Sequence, residues 1–547
     1  MLLPPVLLRV SSRFGPALLA VAAAVLLRWP VSVYLDGLPR DPNTALHMVI
    51  AAEVARTGDL LHLGGLDFPA AVPIRVVAVP VVLLAALVGQ VLAPVAAFNL
   101  AATAWVAAQG LAVDRLGAAW GWTPAGRGVG AVAGVASPFA LLALGNGQIE
   151  NVAVLPLCLV AWGGAARLGA TGGGLLLAAF CSPYQAVVAG LLALAQGARE
   201  GRAALGRVVL VALVAAAPVV AYYGSQAAPD DLGEDPAVAM ALVRTRPAPP
   251  VGVIGARLDG LVLPRVHQNT QRGVVRTPME RLDAARFAPG WQAPGGLWPI
   301  EETTVAGWLG GLALLGGLAG AWRRRRDRRV QGVAIAAGLC LVIALGDRLR
   351  LTEQLILPAP LPWAVADAVG GPLAAMEATW RFLTGVGFLL VLGLGGVVRR
   401  WRVALPLSAA LLAETLLLAP GAWPVPASAP RVGELQAALP PGPVAVWPGL
   451  PVVSTLRHGL VSLALDRPVT TYNGSPQAQA VEEGYRPTVP ATDLAGRDVE
   501  TWLAESRAAG VVAVVELTDI PPGLGLPVDL PVSAVVEGFR VYRLDGG

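Results

Sequence analysis

The sequence predicts an α-helical polytopic membrane protein: about eleven transmembrane helices with juxtamembrane helices between them, and a small α/β domain at the C-terminal end. Three observations predict it. Apolar residues make up 55% of the 547-residue chain and charged residues only 14%, with a mean hydropathy of +0.63, far from the balance of a soluble domain. Apolar runs of about 20 residues recur along most of the chain, the length a helix needs to cross roughly 30 Å of hydrocarbon with its backbone hydrogen bonds satisfied internally. Beyond residue 430 the pattern changes to short apolar strands alternating with helical runs.

Candidate spans begin near Phe14, Ala97, Arg127, Asn151, Thr171, Gln185, Ala204, Thr303, Val330, Trp380 and Val403. The first follows Arg9 and Arg13 and ends in Arg28-Trp29-Pro30 without a small-residue cleavage site, so it reads as an uncleaved span. A further apolar run, Pro73 to Pro94, is decided by arginine parity, because arginine-rich short loops stay in the cytoplasm. With the N-terminus inside and this run lying in or dipping into the outer interface, Arg115 with Arg127, Arg167, Arg199 with Arg202 and Arg207, Arg323 to Arg329 and Arg399 to Arg402 all fall inside. A full crossing would invert them. Ser182-Pro183-Tyr184 interrupts the apolar segment Thr171 to Gly197, which is too short for two full spans, and predicts two short helices meeting at Pro183 near the outer face. A single proline-kinked span is the alternative.

This frame divides the chain into a transmembrane region, 1–420, with periplasmic loops at 35–72, 227–302 and 347–377, a proline-alanine linker at 421–430, and a periplasmic α/β domain at 431–547. In that domain Val432 to Ala438 and Val499 to Ala509 read as helices, and Pro443 to Trp447, Gly510 to Glu516 and Val535 to Leu544 as strands. It has no dinucleotide fingerprint, phosphate loop or nucleophile elbow. The expected location is a bacterial inner (cytoplasmic) membrane, crossed many times, with the N-terminus cytoplasmic and the C-terminal domain periplasmic.

Composition narrows the chemistry. All 40 basic residues are arginine, so the formal charge of +4 says little about nucleic acid, and no nucleic-acid partner is expected. Cys158, Cys181 and Cys340 lie in apolar runs without paired spacing, which predicts core packing and neither disulfides nor a zinc site.

The polar stretch Asp36 to Phe68, directly behind the first span, is the richest in candidate chemistry. Asp41-Pro42-Asn43 reads as an N-capped helix start, followed by an amphipathic run to Arg56. Asp36, at the membrane boundary beside Tyr34, has no helix of its own to cap. A carboxylate there, Asp36 or Asp41, could take a proton from an acceptor hydroxyl or hold a divalent cation such as magnesium or manganese. His47 lies on the predicted helix and points either into the same space or outward; Glu53 and Arg56 read as a solvated face. Gly145 to Asn151 is a polar turn between two spans, either simply a capping turn or one that sets Gln148 and Glu150 at the rim of the same cavity. In the long loop 227–302, several arginines surround His267-Gln268-Asn269, a grouping suited to phosphate oxygens or merely solvated. Tyr184 lies at the helix break, and Arg381, at the outer end of a span, needs a partner at that depth.

The order of segments resembles the C superfamily (GT-C) of polyprenyl-phosphate-sugar-dependent membrane glycosyltransferases, which includes protein O-mannosyltransferases and the aminoarabinose transferase of lipid A. The resemblance spans residues 1 to about 420. It rests on Asp67-Phe68-Pro69, Gly145 to Asn151, Ser182-Pro183-Tyr184 and Trp380-Arg381-Phe382, with His458, Asp466-Arg467-Pro468 and Tyr472-Asn473-Gly474 similar to the C-terminal domain of uncharacterised bacterial members. It implies inverting transfer of a sugar from a polyprenyl-phosphate donor to an envelope glycan, lipid or protein, with a first-loop aspartate as base or metal-linked group: Asp41, or failing that Asp36. Beside it, His47, Gln148, Glu150, Tyr184, His267 and Arg381 are the candidate substrate-binding residues read from the sequence. The chain departs from many members in having no adjacent acidic pair and no Asp-x-Asp in this loop. Two other classes are a lipid-linked-sugar transporter or flippase, disfavoured by the scarcity of charges within the spans and the absence of an inverted repeat, and a non-catalytic scaffold for envelope assembly.

Overall fold

The computed structural model describes residues 5–27, 42–60, 78–136, 149–225, 316–346, 356–369, 379–418, 432–447, 499–518, 526, 529–536 and 538–544, with short strand pieces at 37–38, 62–63, 72–73, 348–350, 425–426 and 469–471. The helices are α1 (Pro5–Leu26), α2 (Pro42–Thr57), α3 (Val79–Val88), α4 (Pro94–Ala119), α5 (Pro124–Val135), α6 (Val154–Gly163), α7 (Leu168–Cys181), α8 (Pro183–Glu200), α9 (Arg202–Ser225), α10 (Arg328–Ala344), α11 (Pro362–Val369), α12 (Leu383–Val397) and α13 (Trp401–Leu418). A further helical segment, 316–323, packs on α12.

Every apolar run picked out in the sequence contains helix, but the expected uniform spans of about 20 residues do not hold. Among the described residues only Pro94–Ala119 and Arg202–Tyr222 combine the length and apolarity of a full crossing, while helices such as Leu168–Cys181 and Leu383–Val397 are shorter. Prolines mark many of the helix starts. Pro42, Pro94, Pro124, Pro183 and Pro362 each stand at the first position of a helix, where the missing N–H costs nothing, and Pro183 also follows closely on the end of α7. Helix α9 leaves most of its apolar surface uncovered by protein: only 17% of its span is buried, and Leu210, Leu213, Val214 and Val220 are exposed.

The helix termini gather into two distinct ends of the bundle. At one end the start of α8, the end of α10 and the start of α12 converge with Asn151, which precedes α6. At the other end Arg199 of α8 donates to Gln331 Oε1 of α10 at 2.8 Å, and Thr123 before α5 donates to the Val398 carbonyl after α12 at 3.1 Å. Gly15 of α1 and Gly128 of α5 both meet the Trp401 ring there. The arginines of 323–329 and 399–402, together with Arg167 and Arg199, therefore gather at one end, along with the start of α1. Chain direction then takes the far end of α13 to the opposite side. There Val425–Pro426 pairs antiparallel with Gly37–Leu38, so the linker is joined to the first loop.

Helix α3 has ten residues, about 15 Å of rise, half of what a crossing needs. Its first turn is anchored by Ala78, whose N–H donates to the Cys181 carbonyl at 2.8 Å. Ala78 holds φ 57°, a left-handed conformation that costs an alanine roughly 1–2 kcal/mol and that this tether offsets.

Helix α2 corrects the sequence reading. It is not an amphipathic surface helix: His47, Met48, Val49, Ile50, Ala51, Glu53 and Val54 are all buried, so burial runs around the helix instead of along one stripe. Glu53 is not part of a solvated face either. Its carboxylate takes two hydrogen bonds from Arg56, at 2.6 and 3.1 Å, and only the arginine reaches the surface. Periodicity missed this because α3 and α4 cover α2 from two sides. Cys158, Cys181 and Cys340 are all buried, as core packing requires.

The C-terminal part builds a five-stranded mixed sheet from β1 (Val444–Trp447), β2 (Val469–Thr471), β3 (Ala513–Leu517), β4 (Val532–Val536) and β5 (Phe539–Arg543), in the order β4-β5-β3-β1-β2. Strand β1 runs parallel to β2 and β3, while β5 is antiparallel to β3 and β4. Alternation along β1 decides which helix covers which face. Val444 and Val446 pack with Leu435 of α14 (Val432–Ala438), whereas Ala445 and Trp447 pack with Trp502 and Leu503 of α15 (Val499–Ala508). The apolar run Val535 to Leu544, read as one strand, instead contains the end of β4, a turn at Gly538 with φ 85°, and all of β5. Buried Glu516 on β3 accepts from Tyr542 Oη at 2.5 Å, the Leu526 N–H at 2.8 Å and Arg540 at 3.3 Å. Burial first, then the bond to Glu516, raises the Tyr542 phenol above its ordinary value.

Close helix contacts depend on glycine. A Cβ on Gly126 of α5 would overlap the Gly395 carbonyl oxygen of α12 and lie 2.7 Å from that of Val398, both backbone atoms that cannot swing aside. Gly126→Ala is therefore expected to cost about 1–3 kcal/mol and to lower the thermal midpoint of the purified protein. Gly169→Ala in α7, where the new methyl meets nothing within 4 Å, should leave it unchanged or slightly raised. Equal behaviour of the two variants would show that α5 and α12 are not held at backbone contact.

Candidate functional site

The end of the bundle away from the arginines carries a buried, uncharged polar cluster beside one arginine. It begins at the break between α7 and α8. Ser182 leaves helical geometry at φ −164° and ψ 147°, and its hydroxyl caps α8 by accepting from the Tyr184 N–H at 3.3 Å. Pro183 then starts α8, which sends Tyr184 and Gln185 from the first turn into the bundle. The two short helices expected from Ser182-Pro183-Tyr184 are thus present.

Gln185 is fully buried and ties three segments together. Its Nε2 donates to Thr384 Oγ1 of α12 at 3.1 Å and to Asn151 Oδ1 at 3.3 Å. Thr384 in turn donates to the Arg381 carbonyl at 3.1 Å, closing the first turn of α12. The Gln185 Oε1 accepts no hydrogen bond among the described residues. Thr379, in the 3₁₀ turn Thr379–Phe382, reaches the Ala344 carbonyl at the end of α10 at 3.5 Å.

Arg381 belongs to the same turn and is half-buried. Its guanidinium carbon lies 4.8 Å from the centre of the Tyr184 ring, a cation–π contact that gives the half-buried arginine an aromatic partner. The tyrosine is itself braced edge-on by Phe382, with ring centres 5.7 Å apart, and Trp363 of α11 lies 6.0 Å from Phe382. Asn151 is positioned by a second device. Gln109 of α4 accepts from the Leu155 N–H at 2.7 Å and donates to the Trp105 carbonyl, while Trp105 Nε1 donates to the Val152 carbonyl at 2.9 Å. A glutamine 46 residues away therefore caps the start of α6.

Of the residues proposed from sequence, the structure brings Tyr184 and Arg381 into direct contact. His47 is buried on α2, next to Met48 in the apolar cluster that also holds Ile149 and Cys181. Asp36, Asp41, Gln148 and His267 lie outside the described residues, as does the side chain of Glu150. Sequence reasoning missed Gln185, Asn151, Thr384 and Thr379. Each stood within or beside a motif it had singled out, and a neutral amide or hydroxyl in an apolar run was the signal available.

No family model matches the sequence, and no curated protein matches it. Solved structures with a similar chain path do exist. ArnT from Cupriavidus metallidurans in the apo state is 13% identical over 97% of this chain and 98% of its own, with a TM-score of 0.49. The same enzyme bound to undecaprenyl phosphate gives 13% identity, 97% and 98% coverage, and 0.44. The arabinofuranosyltransferase AftD from Mycobacteria is 15% identical over 98% of this chain and 42% of its own, with a TM-score of 0.42. The oligosaccharyltransferase of Archaeoglobus fulgidus in the apo form is 12% identical over 93% of this chain and 69% of its own, with 0.42. The chemistry rests on the residues of this chain.

The Gln185–Thr384 bond joins two helices at a buried position, and removing one partner strands the other. A double-mutant cycle of Gln185→Ala and Thr384→Val should show a coupling of about 0.5–1.5 kcal/mol in unfolding stability, each single change costing about 1–3 kcal/mol. Strict additivity would mean that the two side chains do not meet.

Proposed function

We propose that this protein is a membrane glycosyltransferase that moves a sugar, with inversion, from a polyprenyl-phosphate donor to an extracytoplasmic envelope acceptor. The observation that carries the reading is the convergence of Arg381, Tyr184 and the Gln185–Asn151–Thr384 network. They join three of the segments on which the sequence resemblance rests, at the bundle end where the first loop pairs with the linker. A guanidinium held against an aromatic face is a preorganised donor for a phosphate oxygen. The neutral amides and hydroxyls around it are suited to sugar hydroxyls and carry no charge to repel the donor.

In this mechanism the lipid tail lies against the apolar helices near the α7–α8 break, and Arg381 takes the phosphate. Asp41 or Asp36 in the first loop removes the proton of the acceptor hydroxyl. The resulting oxygen attacks the anomeric carbon as its bond to the phosphate oxygen breaks, and polyprenyl phosphate leaves with the electron pair, stabilised by Arg381. His47, Gln148, Glu150 and His267 complete the proposed lining. Carboxylate oxygens are the donors that magnesium or manganese takes, commonly one or two together with substrate phosphates. Asp36 and Asp41 would hold such an ion, and it would supply charge neutralisation at the phosphate. The polyprenyl-phosphate class is the one to which the ligand of the ArnT complex belongs. On the arginine count, the network faces the outer side of the bacterial inner membrane and the N-terminus faces the cytoplasm.

The test is sugar transfer by the purified protein from a panel of radiolabelled polyprenyl-phosphate sugars, with and without chelator. Asp36→Asn or Asp41→Asn should abolish transfer while the protein remains folded. Arg381→Lys keeps the charge but loses the planar stack on Tyr184, and should raise the KM for donor about tenfold, the equivalent of roughly 1.4 kcal/mol. Transfer that survives both aspartate changes would refute the first-loop mechanism. Binding of envelope partners with no turnover on any donor would favour the scaffold, and movement of intact lipid-linked sugar would favour the flippase.

A further inference from the structure

The arginine-rich end of the bundle holds a second site that the transfer reading does not use. A cavity of about 560 Å³ opens between segment 316–323, the start of α10 and the junction of α12 with α13. Its polar rim is formed by Arg323, Arg324, Arg399 and Arg400, with Trp120 beside them, and its wall by apolar side chains including Val333, Leu389 and Leu392. It lies at the C-terminal end of α12, whereas Arg381 and Thr384 lie at the N-terminal end. The 15 residues of that helix separate the two by about 22 Å.

The charge here is one-sided. Nine arginines, at 323–326, 328–329, 399, 400 and 402, stand against one acid, Asp327. Asp327 is already engaged with Arg324 at 2.7 Å, and it also caps α10 by accepting from the Arg329 N–H. Arg325 is stacked over Trp322 at 4.6 Å. Arg323, Arg399 and Arg400 make no ion pair among the described residues and converge on one cavity. Concentrated positive charge of this kind calls for an anion, and guanidinium forks match phosphate oxygens.

The cavity wall decides what carries that phosphate. Val397 and Val403 line it and are exposed at 37% and 50%, and Trp322 nearby is exposed at 69%. Apolar side chains left open beside arginines, with an exposed tryptophan at the same level, are the pattern of a membrane interface. A soluble phosphate would leave that surface uncovered, whereas a phospholipid would cover it with its chains. We infer that this cavity binds an anionic glycerophospholipid of the cytoplasmic leaflet, its phosphate held by Arg323, Arg399 and Arg400 and its acyl chains lying against Val397 and Val403.

The experiment uses the full chain purified in a neutral detergent. Thermal stability and native mass spectra are recorded with phosphatidylglycerol, cardiolipin, phosphatidylcholine and, separately, glycerol 3-phosphate. The two anionic lipids should raise the midpoint and remain bound at a defined stoichiometry, while phosphatidylcholine and glycerol 3-phosphate should do neither. Arg399→Gln and Arg400→Gln should each weaken phosphatidylglycerol binding about tenfold, and Arg202→Gln, at the same end but outside the cavity, should not. Equal stabilisation by phosphatidylcholine would overturn the proposal, as would the same loss from Arg202→Gln. Saturable binding of glycerol 3-phosphate alone would reassign the cavity to a soluble phosphate. The lipid selectivity of the parent protein tests the idea even if a variant fails to fold.

Discussion

In a hydrocarbon setting no backbone group can turn to water, so a helix that stops inside the bundle must find partners for its open carbonyls and amides. The break at Ser182-Pro183 is where this requirement shapes the molecule. Proline removes a donor and splits what would have been one span into α7 and α8. The Cys181 carbonyl then takes the N–H of Ala78, over a hundred residues away, and the Ser182 hydroxyl takes the N–H of Tyr184. These two bonds fix the start of α3 and the first turn of α8 together. The candidate site follows from them, because that first turn carries both Tyr184 and Gln185.

Around this junction the two ends of the bundle are chemically opposite. One end gathers neutral amides and hydroxyls with Arg381 stacked on an aromatic ring; the other gathers nine arginines with a single aspartate in two short segments. The same helices connect them: α8 runs from Gln185 to Arg199, α10 from Gln331 to Ala344, and α12 from Thr384 to Val397. Between the ends the helices approach through glycine and small residues. Gly395 and Gly126 meet backbone to backbone, and Gly385 lies against Cys340, so α12 is gripped from both α5 and α10. A rigid α12 holds Arg381 in register with Tyr184, and packing at one level thereby supports geometry at another.

The polar groups that organise the site reach across long stretches of chain. Gln109 caps a helix 46 residues downstream, and Gln185 bonds to a threonine 199 residues away. Neither bond has a local signature, so neither glutamine stands out in the sequence as a charged residue does. Glu53 shows the converse: its spacing to Arg56 read as an exposed helix pair, and the pair does form, but α3 and α4 close over the carboxylate. The hairpin at Gly538 is a third case, since an apolar run is compatible with one strand or two until pairing chooses.

By itself the sequence determined whatever depends on near neighbours or on totals: the helical bundle, the helix break at Pro183, the gathering of arginines at one end, the buried thiols, and the helices of the C-terminal part. Composition, proline geometry and arginine counts act locally, so they can be read locally. The tertiary structure alone decided which faces of α2 are buried, that Asn151 is the residue of its turn that meets Gln185, and that Arg381 finds its aromatic partner in Tyr184. Those outcomes depend on which segments are brought within a few ångströms of one another, and no single stretch of sequence contains that distance.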